Sequence, residues 1–181
     1  MNKRTLVVSV LCFVTGFLFL ALQRQWIIFR LPFQAHEQHA RADVQKRGVR
    51  LFYWLHDKWN SESTEVIWSA NKAHTIKHLV DSWLTLMDEE QLMDKKVSLQ
   101  SAILSFNEQE VFLSFDRNPF TKESPTFEKW MWVEGLLKTL RDNDIKIQTV
   151  RFLVHHQDMH DADLDFSNAW PVIGFLVSNT R

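Results

Sequence analysis

One stretch of this sequence concentrates side chains that ligate metals. His155, His156 and His160 stand with Asp158, Asp161, Asp163 and Asp165 in HHQDMHDADLD. Imidazole nitrogens and carboxylate oxygens together suit zinc or another divalent cation. On a helix, His156 and His160 at i, i+4 would share a face. The segment follows a strand pattern and is poor in apolar residues, so a solvated acidic loop accounts for the same residues without an ion. His74 and His78 repeat the i, i+4 spacing on a predicted helix, off its apolar face, and read as solvated surface.

Covalent and acid–base chemistry find less support. The chain has one cysteine, Cys12, inside an apolar run, so the remainder offers no thiol nucleophile, thiolate metal site or disulfide framework. No G-x-S-x-G, phosphate loop or H-E-x-x-H occurs. Glu89-Glu90 fall at a helix end, where solvent reaches them. The sequence therefore predicts no catalytic residue, no cofactor and a protein that is not an enzyme.

Aromatic residues offer a different chemistry, that of contact. There are eight Trp and fourteen Phe. Trp54, Trp59, Trp68, Trp130 and Trp132 cannot all enter one small core. Trp130 and Trp132 are two apart on a predicted helix and so occupy different faces, which makes them candidates for a binding surface. The alternative is that both helix faces are covered, one by a sheet and one by a stalk or tail. Acidic and basic residues nearly balance at 22 and 21, without the basic excess of a nucleic-acid binder. Gly and Pro number four each, as suits an ordered globular domain.

The N-terminal run Thr5–Leu22, TLVVSVLCFVTGFLFLAL, carries no charge. At ~1.5 Å per residue it reaches about 27 Å, close to a bilayer's hydrocarbon thickness. Trp26 to Phe29, between Arg24 and Arg30, form an interfacial collar. A cleavable signal requires a small-x-small site that Leu20-Ala21-Leu22-Gln23 does not provide. Leu11 before Cys12 disfavours lipidation. The expectation is an uncleaved single-pass anchor. Lys3 and Arg4 favour a cytoplasmic N-terminus while Arg24 and Arg30 oppose it, so charge alone leaves orientation open. Because the first positive cluster abuts the helix, residues 1–4 are expected to be a cytoplasmic tip. Residues 5–22 form the anchor, 23–48 a solvated juxtamembrane stalk, and 49–181 the extracytoplasmic domain.

Within that domain, Val49 to His56 reads as a strand and Asp57 to Ser63 as a turn. Glu65 to Trp68 reads as a short returning strand. Asn71 caps a helix over about 72–93 whose face is Ile76, Leu79, Val80, Trp83 and Met87. Ser98–Asn107 and Val111–Asp116 form a hairpin. Ser124-Pro125 starts a second helix with serine as N-cap, lined by Trp130, Val133, Leu137 and Leu140. It ends where Asn143 takes a left-handed C′ position. Ile147 to His155 is the last strand, and Leu164 to Val172 an extended, partly buried tail. The order β-β-α-β-β-α-β gives an α/β (α+β) class, a small domain with a mixed sheet and two helices.

That order, carried by VRLFYWLHD, by VFLSFD ending on Asp116, by GLLKTLRDN with IKIQTVRFLV, and by LDFSNAWP, resembles the GerMN domain. This module occurs in bacterial sporulation and germination proteins and in some envelope lipoproteins. The resemblance covers roughly 49–171. Two features depart from it: Val154-His155-His156 stands where the family usually has an Asp-Gly type turn, and the first helix is long. The resemblance implies an extracytoplasmic place behind a membrane or lipid anchor. It implies a structural or protein-interaction role in the cell envelope, with another envelope protein or cell-wall material as partner, and it supplies no catalytic residues.

Overall fold

The computed structural model describes residues 45–93 and 95–174. The expected tip and anchor, and residues 23–44 of the expected stalk, lie outside them. Among the described residues no helix is long and apolar enough to cross a membrane.

The elements are β1 (Gln45–Leu55), β2 (Lys58–Trp68), α1 (Lys72–Glu89), β3 (Leu99–Leu104), β4 (Glu110–Phe115), α2 (Thr126–Asp142), β5 (Thr149–Val154), β6 (Gln157–Asp158) and β7 (Trp170–Pro171). The class is mixed α and β with two helices, but there are two sheets where one was expected. β1 and β2 pair antiparallel as a separate ribbon. In the second sheet β3 pairs antiparallel with β4, and β4 runs parallel to β5 through the α2 crossover. β6 and β7 share the other edge of β5, one at each end.

Sequence periodicity explains what faces the core. Val111, Leu113 and Phe115 of β4 and Val150 and Phe152 of β5 alternate inward and are wholly buried. On α1, Ile76, Leu79, Val80, Trp83 and Met87 form one buried stripe, and on α2 Val133, Leu136, Leu137 and Leu140 form another. Each such side chain stabilises the fold by about 1.5–3 kcal/mol. Asn71 caps α1 as its sequence promises, its Oδ1 accepting from the N–H groups of Ala73 and His74 at 2.9 and 3.2 Å.

Four local expectations are corrected. The turn expected over 57–63 is only His56-Asp57, both at positive φ, and β2 runs on from Lys58. β1 begins at Gln45, so residues 45–48 of the expected stalk are strand. Pro125 occupies the N-cap of α2 without a side-chain cap, while Ser124 Oγ accepts from the Thr121 N–H at 3.0 Å. Asn143 has φ of −98°, and Asp144 takes the left-handed position instead. Asn143 is held by three bonds: Nδ2 donates to the carbonyls of Arg50 and Thr139, both at 2.7 Å, and Oδ1 accepts from the Arg50 N–H at 3.0 Å.

That last contact belongs to a series along β1. The Phe52 N–H donates to Thr139 Oγ1 at 2.9 Å, and Trp83 Nε1 donates to the Phe52 carbonyl at 2.8 Å. The outward main-chain groups of Arg50 and Phe52 are therefore paired with side chains of the two helices. Gly135 allows this closeness, because a Cβ there would stand 3.0 Å from the Phe52 oxygen. Residue 54 repeats the orientation of 50 and 52, since strand geometry has period two.

Candidate functional site

The loop that follows β5 is held by its own chemistry. Lys129, on α2 and 1% exposed, donates to Asp161 at 2.9 and 3.1 Å and to Asp163 at 2.7 Å. Burial pushes the Asp161 carboxyl up. The N–H groups of Asp163 and Leu164 and the Lys129 ammonium outweigh it and hold the carboxyl below the usual range. The bond to Asp163 leads in raising Lys129 above its ordinary value, with Asp161 adding to it against burial. The Ser167 hydroxyl and N–H hold Asp165 low.

The three candidate histidines do not converge with these acids. His155 and His156 are the two central residues of the β5–β6 turn, at φ of 50° and 65°. His155 Nδ1 lies 3.3 Å from Gln100 Nε2, and the His156 N–H donates to Ser114 Oγ at 2.9 Å. His160 offers its carbonyl to Asn118 Nδ2 at 2.9 Å. Among the described residues there is no group of three or more His, Cys, Asp or Glu placed to hold a metal ion. Asp116, closing β4, accepts from the Ser98 N–H at 2.8 Å and serves the sheet.

The two candidate tryptophans separate as their spacing requires, and one is corrected. Trp132 is 5% exposed and belongs to the core, not to a binding surface. Its ring meets Trp83 edge-on at 4.9 Å and Phe120 at 5.3 Å, and its buried Nε1–H has no hydrogen-bond partner among the described residues. Trp130 is half-buried against Trp170, with ring centroids 5.2 Å apart, beside a shallow cavity of about 240 Å³ under the tail.

A larger cavity, about 410 Å³, opens where the β1–β2 turn, the end of α1 and the start of α2 meet. Five aromatic residues, Tyr53, Trp54, Trp83, Phe127 and Trp132, and three methionines, Met87, Met93 and Met131, line it. The volume falls in the range of ligand pockets, and methionine gives such a wall adaptability. Phe127 is 55% exposed at its mouth and lies edge-on to Trp54 at 6.0 Å. Polar groups occupy the rim: Asp57, Glu128, His56 and Gln91 are exposed there, with neither Lys nor Arg among the lining residues. Burial leads in raising the Tyr53 phenol above its ordinary value, and the carboxylates of Glu90 and Glu62 add to it. No local pattern in the sequence announces this cavity. Its walls come from three separated segments, and their only local sign was the surplus of tryptophan.

No family model and no curated protein matches this chain. Among solved structures, a Clostridium perfringens protein described as a putative lipoprotein is similar. It is 15% identical over 71% of this chain and 89% of its own length, with a TM-score of 0.46.

Proposed function

We propose that this chain is a GerMN-like domain carried on the outer face of a bacterial membrane by its N-terminal helix, where it works by binding another envelope component. The observation that carries the binding reading is the cavity at the turn of β1 and β2. Its wall is aromatic and methionine-rich with charge only at the rim, the composition of a recognition site. The apolar run 5–22 with its aromatic and basic collar supports the anchor, and the four sequence segments over 49–171 support the family. Asp161, Asp163 and Asp165 are engaged by Lys129, main-chain N–H groups and Ser167, which favours a structural loop over a metal site.

The test has two parts. Alkaline phosphatase fused after Arg181 is expected to be active, placing the domain outside the cytoplasm. An inactive phosphatase with an active cytoplasmic reporter at the same point overturns the orientation. The full chain in detergent is expected to retain envelope partners. Turnover of a substrate, lost on replacing a Ser, His or Asp without unfolding, overturns the binding reading.

A further inference from the structure

The outward main-chain groups of β1 are paired to α2 and α1 at Arg50 and Phe52. The next residue of that orientation, Trp54, lines the cavity, and none of the described side chains bonds its N–H or carbonyl. This length of the β1 edge, next to the covered Arg50 and Phe52, therefore lies uncovered by the described helices on the wall of the pocket. We propose that this cavity takes an extended peptide of a partner protein, which pairs with β1 at Trp54 and seats an apolar side chain against Trp54, Phe127 and Met131. Its basic flanks meet Asp57 and Glu128. This rests on the binding reading above and names the partner's chemistry.

Three independent features agree. An extended peptide supplies both a carbonyl and an N–H at the spacing of a strand edge, which a lipid does not. Side chains of a strand alternate, so one residue enters the pocket while its neighbours point to solvent, where the rim carboxylates stand. Two lining carboxylates, Asp57 and Glu128, without a lining Lys or Arg select lysine or arginine beside the anchor. The edge is closed above Trp54 by Thr139 and Asn143 and ends at the His56-Asp57 turn. The paired segment is therefore short, and affinity must come from the anchor side chain.

The test uses the full chain in detergent and an array of labelled nine-residue peptides in which apolar and polar residues alternate, with Lys or Glu flanks. Lys-flanked members are expected to bind. N-methylation of the amides that face the edge is expected to weaken the best of them about tenfold or more, and Phe127→Ser likewise. Asp57→Lys with Glu128→Lys is expected to reverse the preference for Lys over Glu flanks. Phe127 and both carboxylates are exposed, and a thermal melt of each variant verifies its fold before binding is compared. Binding indifferent to N-methylation or to Phe127→Ser overturns the site. An array with no binder, or a chitin-type sugar oligomer that binds where peptides do not, also overturns it. Envelope partners retained equally by the native chain and Phe127→Ser, with no peptide bound, leave the wider binding reading standing and remove only this site.

Discussion

Asn143 grips both main-chain groups of Arg50, accepting its N–H at 3.0 Å and donating to its carbonyl at 2.7 Å. One side chain near the end of α2 thus stands in for a neighbouring strand. Asn143→Ala leaves the Arg50 and Thr139 carbonyls without this donor, and the expected loss is about 1–3 kcal/mol. Asn143→Asp is expected to cost at least as much, since a carboxylate presents an acceptor to both carbonyls. Urea unfolding midpoints of the two variants check this, and an unchanged midpoint for Asn143→Ala would show that the clasp contributes nothing.

The Lys129–Asp161–Asp163 group makes stability depend on pH at both extremes. The Asp161 pKa is lowered on folding, so its contribution is present above the unfolded value of about 3.9 and is lost as pH falls through the lower native one. Lys129 is raised, so its contribution is complete below about 10.4 and is lost as pH rises through the higher native value. Lys129→Met removes the cation from a buried pair and is expected to cost about 3–5 kcal/mol at neutral pH. Its deficit should shrink below pH ~4 and above pH ~10. Unfolding curves across pH for both proteins measure the gap, and a constant gap contradicts the assignment.

Two tryptophans in edge contact are expected to respond differently to the same change. Trp83 Nε1 donates to the Phe52 carbonyl, whereas Trp132 Nε1 is buried without a partner among the described residues. Replacement by Phe removes a hydrogen bond in the first case and a desolvated donor in the second. Trp83→Phe should therefore cost more than Trp132→Phe, by about 1–2 kcal/mol, while Trp132→Ala should cost about 3–5 kcal/mol as a core truncation. Equal losses for the two Phe variants would mean that packing alone decides.

The His155-His156 turn is open to improvement. Both residues hold positive φ, which an L side chain adopts at a cost of about 1–2 kcal/mol each. Asn-Gly suits such a two-residue loop. The double replacement His155→Asn with His156→Gly is expected to raise stability by about 1 kcal/mol and to leave any binding of envelope partners unchanged. If zinc instead raises the melting temperature of the native chain and not that of the double variant, the histidines have a ligand role.

The helices, the hairpin of β3 and β4, and the last strand could be read from the sequence because each carries a long periodic pattern. The Asn71 cap was legible for the same reason, since its partners are two and three residues away. The β1–β2 ribbon is not legible at its tip. His56-Asp57 fills a turn that normally announces itself with glycine, so the polar run after it looked like a loop and was strand. Ser124 and Asn143 carry the right types for caps, but their side chains serve Thr121 and the distant Arg50. The cavity depends on residues near 54, 92 and 127 coming together, and no local pattern records that.

The clasp between β1 and α2 also bears on how the chain reaches its fold. Asn143 lies 93 residues from Arg50, and Thr139 lies 87 from Phe52. The ribbon can form on its own within microseconds, about the time of any hairpin. Its outer edge must then wait for nearly the whole domain to be synthesised before its covering arrives. Contacts of such separation slow folding, and an uncovered edge is where nascent chains pair wrongly. A factor that shields extended segments during synthesis or export is expected to matter most for the interval between the emergence of residue 55 and that of residue 143.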